Sequence, residues 1–318
     1  MDNLLYLTRK PIIIGGPTAT GKTEIACALA ERLTADHVTA EIISADSRQI
    51  YRQMDVGTAK PSLAERRRTP HHLVDIRAPD QKYSAGEFAL DARRAITSMQ
   101  ARGVVPIVVG GSGLYLQALM DGLCPIAQQA TEEIRVQLFN KPYDNGLEEL
   151  YNKLYEVDPQ AARRIGRTDV QRIKRAIERA VLGYRHTGNW AIADGSPAIP
   201  IGACLCITRP RDRLYQRIDR RTERIIGSGL LHETAELMHL GYAPDCPGLQ
   251  TLGYAEARCF LQDGIGHHEL IERIRIRTRH FAKRQLTWFG RDRRYRWLNA
   301  EWLGTSGVVH RILQQLQR

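Results

Sequence analysis

The residues best suited to chemistry are Gly16-Pro17-Thr18-Ala19-Thr20-Gly21-Lys22-Thr23, which satisfy G-x-x-x-x-G-K-[ST] without a substitution. The pattern is one of anion capture. Glycines let the backbone curl until its N–H groups point inward, and a helix starting at the end of the loop adds the positive end of its dipole. Lys22 supplies a point charge for phosphate oxygens, and the Thr23 hydroxyl is placed to hold Mg²⁺. The expected ligand is phosphorylated and bound through a diphosphate. A carboxylate, Asp46, follows the apolar run ending at Ser44. Three roles are open to it: helix N-cap for a segment beginning at Ser47, Mg²⁺ ligand, or general base. The following Ser47-Arg48-Gln49 favours a catalytic or metal-linked role over pure capping, with these side chains facing a second substrate. Ser112, in Gly110-Gly111-Ser112-Gly113, is the polar side chain best placed to reach the ligand from a second glycine turn. Arg217 and Arg221, spaced i and i+4, are placed to close over a phosphate group.

These groups need a scaffold that brings several strand tips to one edge. Runs 11–15, 38–44, 104–109 and 202–208 are apolar and β-branched, and 71–76 reads as another short strand. Helical patterns alternate with them, one opening on a capping box of Ser84 and Glu87. The expected architecture is α/β: a parallel sheet of the P-loop NTPase type flanked by helices, with ligands outside the carboxyl ends of the strands. From about Gly122 to Pro200 strands disappear. The expected organisation is a first core part (1–122), an all-helical insertion (123–200), and core completion with basic helices (201–318). In the insertion, Val170, Ile173, Ile177 and Val181 form an apolar stripe at helical spacing, with Gln171, Arg172 and Arg175 on other faces. The paired His71 and His72 lack metal spacing, so hydrogen-bonded or surface positions are expected.

The formal charge is +11, and between Glu269 and Trp297 ten Lys/Arg face three acids. A nucleotide alone needs one phosphate pocket, so two long basic stretches (the other spans Arg163 to Arg179) point to a polyanionic partner. Trp288, Phe289, Tyr295 and Trp297 lie near the second stretch, as core or as platforms for nucleic acid bases. No apolar run approaches the ~20 residues that span a bilayer. The six cysteines are scattered without a C-x-x-C pair, and a cytoplasmic setting with reduced thiols is expected.

Taken together the motifs resemble one family, the tRNA dimethylallyltransferases (tRNA isopentenyltransferases). The likeness is carried by the phosphate loop, by residues 43–52 around Asp46, and by Met54-Asp55-Val56-Gly57-Thr58-Ala59-Lys60-Pro61. It continues through His71-His72-Leu73-Val74-Asp75, the Gly110-Gly111 turn ending in Tyr115, Gln171-Arg172, Gly253-Tyr254, and the run from Thr278-Arg279 to Trp288-Phe289. The resemblance implies transfer of a dimethylallyl group from its diphosphate to N6 of the adenosine 3′ of the anticodon. It implies that Asp46 takes the amine proton, that Ser112 orients, and that Lys22, the loop amides, Arg217 and Arg221 hold the leaving diphosphate with Mg²⁺ on Thr23. Ser112 stands where the family usually has threonine, and Gly113 is also unusual. For the tRNA anticodon stem-loop the resemblance implies contacts from Asp46, Ser47, Arg48, Gln49, Ser112, Arg135, Gln171, Arg172, Ile173, Lys174, Arg175, Gln250, Thr251, Gly253, Tyr254, Arg279, Lys283, Arg284 and Gln285. A monomer is expected. The rival reading is a P-loop small-molecule kinase that uses ATP, with Asp46 as base. It leaves the basic carboxyl-terminal third unexplained. A nucleotide-driven RNA motor fits less well, because no apolar strand ends in paired acids.

Overall fold

The computed structural model describes residues 10–122, 139, 146–183 and 199–316. The described residues divide between two compact units, one drawn from 1–120 and 199–318 and the other from 121–198.

The larger unit is built on β1 (Ile12–Gly15), β2 (Ala40–Ser44), β3 (His71–His72), β4 (Val105–Val109), β5 (Ala203–Thr208) and β6 (Arg296–Asn299). They form one sheet in the order β3-β2-β4-β1-β5-β6, and every pairing is parallel. β1, β2 and β4 are buried along their whole length, as continuous apolar runs must be when helices cover both faces. Helices α1 (Lys22–Ala35), α2 (Leu63–Arg68), α3 (Ala85–Ala101) and α4 (Gly113–Asp121) belong to the first part of the chain. α3 starts on the Ser84–Glu87 capping box.

The smaller unit holds α5 (Gly146–Val157), α6 (Pro159–Arg164) and α7 (Val170–Val181). Leu150, Leu154, Ala161, Ala162, Ile173 and Ile177 close its core. Each fully buried Leu or Ile contributes about 1.5–3 kcal/mol. The apolar stripe is narrower than its spacing suggested: Ile173 and Ile177 are buried, but Val170 and Val181 are 37% and 49% exposed at the two ends of the helix.

Back in the larger unit come α8 (Arg211–Gly227), α9 (Leu230–His239), α10 (Tyr254–Asp263), α11 (His267–Phe289) and α12 (Ala300–Leu316). Residues 273–277 alternate charged and apolar side chains as a strand would, yet they lie inside the 23-residue α11. α1 and α12 share one apolar cluster with the sheet, including Leu29, Leu33, Ile107, Leu205 and Ile312.

Two local expectations need correcting. The strand expected at 71–76 ends after His72, because Leu73 and Asp75 adopt left-handed φ of 59°. Asp75 then turns its carboxylate to Lys60 and Arg66, both at 2.6 Å. No helix begins at Ser47; residues 47–50 form a turn. Among the described residues no helix is long and apolar enough to cross a membrane.

Candidate active site

β1, β2, β4 and β5 run parallel, so their carboxyl ends deliver residues 16–23, Asp46, Gly110-Gly111 and Arg209 to one edge of the sheet. The phosphate loop leaves β1 at Gly16, whose φ of 136° favours glycine and where a β-carbon would collide with the Ile207 carbonyl. Lys22 Nζ and Thr20 Oγ1 both donate to the Pro17 carbonyl, at 2.6 and 2.9 Å, which closes the loop on itself. Gly21 caps α1 in a left-handed conformation, and among the described residues no side-chain cap bonds the first N–H groups of that helix. Those donors face the place where an anion is best stabilised.

Long-range bonds hold the loop from the other side. Arg217 Nε donates to Ala19 O at 2.9 Å and Arg209 Nε to Thr20 O at 3.1 Å. Arg209 also pairs with Glu301. Gln285, reaching in from α11, accepts from Thr18 N at 2.8 Å and donates to Gly111 O at 2.9 Å. One buried amide therefore ties the phosphate loop to the second glycine turn.

Asp46 closes its own turn, Oδ1 accepting from Arg48 N at 2.9 Å. The capping role open to it is thus taken up by a turn and not by a helix. Its side chain is 25% exposed, and Arg48 Nε lies 3.7 Å away. The Arg48 guanidinium stacks over the Phe281 ring, 4.8 Å from its centre. Ser112 Oγ accepts from Ser47 N at 3.0 Å and donates to Ser47 Oγ at 3.2 Å. It pins the Asp46 turn and does not line the cavity described next. Gly113 has a steric cause, since a β-carbon there would run into the Trp288 indole.

These elements enclose a cavity of about 830 Å³ lined by Lys22, Thr23, Asp46, Arg48, Gln49, Arg217 and Arg221 among others. Burial pushes the Lys22 ammonium down to about 8, with Arg221 and Arg48 adding repulsion against the pull of Asp46. Burial likewise lowers Arg221 to about 10, with Arg48 again opposing and Asp46 supporting its charge. Arg217 is lowered by burial and then by Arg209. Cations held against desolvation and one another are relieved by an incoming anion.

The residues assigned to RNA contact by resemblance are not equally available. Tyr254 is fully buried and bonds Glu233, Ile173 lies in the core of the smaller unit, and Gln285 is spent on the clamp. Gly253 is buried at the start of α10, its N–H on Glu256 at 2.6 Å. Arg279 is held by both oxygens of Asp219 at 2.7 and 2.8 Å and stacks on Tyr215. Exposed are Lys283, Arg284 and Gln250, and in the smaller unit Gln171, Arg172 and Arg175. Lys174 lies over the Phe139 ring at 4.9 Å, and Thr251 bonds Gly248 O at 2.7 Å. Arg135 lies outside the described residues. Phe289 and Tyr295 are core partners, whereas Trp297 is 41% exposed. His71 and His72 bond Thr69 O and Glu41, each at 2.7 Å.

Sequence reasoning missed Arg209, although the strand-tip rule applied to Asp46 places it at the end of β5. It also passed over Arg220 and Arg224, which line the cavity at i+3 and i+7 from Arg217.

The family model described as IPP transferase matches residues 49–293. The tRNA dimethylallyltransferase of Syntrophobacter fumaroxidans is 39% identical over 309 residues, covering 96% of this chain and 87% of that protein. The chain belongs to the IPP transferase family. Another relative, the tRNA dimethylallyltransferase of Thermomicrobium roseum, is 42% identical over 291 residues, 91% of this chain and 86% of its own. Among solved structures, the full-length tRNA isopentenylpyrophosphate transferase of Bacillus halodurans superposes with a TM-score of 0.69 at 34% identity, covering 97% of each chain. A eukaryotic dimethylallyltransferase acting on tRNA gives a TM-score of 0.76 at 26% identity, over 95% of this chain and 77% of that one. Membership of the IPP transferase family makes this chain a transferase and sets the kinase reading aside.

Proposed function

We propose that this chain transfers a dimethylallyl group from dimethylallyl diphosphate to N6 of the adenosine 3′ of the anticodon in tRNA. The observation that carries the reading is one cavity in which a carboxylate, Asp46, stands beside an under-compensated cationic cradle, Lys22, Arg217 and Arg221. The cradle suits a leaving diphosphate. Loop amides, Lys22 and the two arginines hold its oxygens and neutralise charge as the allylic C–O bond breaks. The N6 lone pair forms the new C–N bond, and Asp46 accepts the proton that N6 loses. Gln49 lies beside the base, and Ser112 and Arg48 keep the Asp46 turn in place.

Thr23 and Asp46 both line the cavity. Among the described residues no three His, Cys, Asp or Glu side chains group to hold a metal. A cation here would draw on the Thr23 hydroxyl, diphosphate oxygens and water, a donor set that suits Mg²⁺ and leaves Asp46 to take the amine proton. When bound, Mg²⁺ supplies charge neutralisation at the diphosphate.

The target adenosine must leave its stack to reach a strand-tip cavity. Lys283 and Arg284 grip phosphates of the anticodon stem-loop, which positions the RNA and makes binding salt-dependent. In this reading the enzyme works as a monomer in the cytoplasm. The test is to supply dimethylallyl diphosphate, Mg²⁺ and unmodified tRNA without any nucleoside triphosphate. Prenylated adenosine at the anticodon loop is expected; absence of product, with ATP-dependent phosphorylation of some acceptor instead, would refute the reading.

A further inference from the structure

The loop between β2 and α2 is held by a side chain almost 180 residues away. Glu233, in the first turn of α9, accepts at Oε2 from Asp55 N (2.8 Å) and Val56 N (2.9 Å), and at Oε1 from Gly57 N (3.2 Å). The buried Tyr254 hydroxyl donates to the same carboxylate. Three consecutive N–H groups converging on one anion form a nest, and Glu233 fills it as a built-in ligand. Gly57 must be glycine, because a β-carbon would strike the Tyr254 ring. The loop needs such an anchor, since Gln53 and Ala59 adopt left-handed φ of 63° and 49°, which side-chain-bearing residues reach only under constraint.

The other side of this loop faces the cavity. Thr58 O accepts from Arg221 at 3.2 Å, and Ala59 O accepts from the Gln49 amide at 3.3 Å. Arg221, Gln49, Ala59 and Lys60 all line the cavity. The carbonyls that aim the arginine and the amide are thus presented by backbone whose shape Glu233 sets.

We infer that Glu233, assisted by Tyr254, is a positioning residue for the transfer reaction: by filling the 55–57 nest it holds the Thr58 and Ala59 carbonyls where they direct Arg221 toward the donor diphosphate and Gln49 toward the acceptor base. The inference rests on the proposed reading of Arg221 as a diphosphate clamp. It makes Glu233 a determinant of donor affinity, although the residue does not touch the donor.

The experiment is a double-mutant cycle on the full chain, read as KM for dimethylallyl diphosphate with kcat and thermal midpoint alongside. Glu233→Ala is expected to raise the donor KM about tenfold, the loss typical of hydrogen bonds to a charged group. In an Arg221→Ala background the same substitution is expected to add less than about twofold, because the side chain through which it acts is gone. Formate or acetate at tens of millimolar should re-occupy the emptied nest and lower the KM of Glu233→Ala, a rescue that a purely structural lesion does not show. Should Glu233→Ala fail to fold, Glu233→Gln, which keeps one acceptor oxygen and the packing, serves in the same cycle, with Tyr254→Phe as the second arm. A lower thermal midpoint with unchanged donor KM, or effects that add in the double variant, would overturn the inference while leaving the clamp standing. An unchanged KM in Arg221→Ala alone would overturn the clamp, and the inference with it.

Discussion

The two sides of the cavity are built by different rules. The near side, residues 16–23 and the start of α1, is local: its bonds to Pro17 O span three and five residues. The far side is assembled from Arg217, Arg221, Gln285 and Glu233, whose bonds to the cavity loops span 163 to 267 residues. A local wall can be written as a motif, because the backbone path and the chemistry are the same few residues. A wall made of distant side chains leaves no such spacing. Only the packing of α8 against α9 and α11, with their side chains bonded to the strand-tip loops, brings it into being.

Three expected outcomes sharpen that contrast. Asp46→Ala, at the tip of β2 where the two sides meet, should give the largest effect. Transfer should fall by roughly 10²–10⁴ in kcat, the range for removing a general base, with tRNA affinity measured by filter binding little changed. Loss of tRNA binding in place of turnover would assign Asp46 to recognition. Next, Gln285→Ala leaves Thr18 N and Gly111 O without their buried partner. The cost should be about 1–3 kcal/mol of stability, with a rise in donor KM because the near side loses its outside support. A lower melting temperature with unaltered KM would mean that the near side is self-sufficient.

The third outcome concerns pH. Burial lowers Lys22 to about 8, so raising pH through that value removes its charge from the free enzyme. Donor kcat/KM should therefore hold level below about pH 8 and fall by up to about tenfold per unit above it. A bound anion favours the charged ammonium, so kcat should hold to higher pH than kcat/KM. A profile flat to pH 10, or the same break in both parameters, would remove Lys22 from donor binding.

The sequence carried the sheet and its phosphate loop because buried parallel strands are unbroken apolar runs and the loop glycines have no substitute. Asp46 is legible only through the rule that strand tips meet ligands; Arg209 sits at the tip of β5 by the same rule, with no motif around it to mark it. Residue type and motif position mark Ser112 and Tyr254 as ligand or RNA contacts but do not say which way a side chain faces. In the fold one pins Ser47 and the other lies under the 55–57 nest. Glu233 was invisible because nothing near it in the chain marks a carboxylate that will cap a loop formed so much earlier.

A smaller effect tests the RNA side. Lys283→Ala with Arg284→Ala removes two exposed cations from α11. Binding to tRNA should weaken, and the slope of log K against log salt should shrink by about two. An unchanged slope would take that face out of the interface.

Transfer as proposed requires both sides of the cavity to hold one diphosphate. Calorimetric titration of inorganic pyrophosphate with Mg²⁺ into the wild type, Lys22→Ala and Arg217→Ala tests this directly. A single site is expected in the wild type, with affinity lowered about tenfold or more by each substitution, one on either side. Pyrophosphate binding that survives both substitutions unchanged would contradict it.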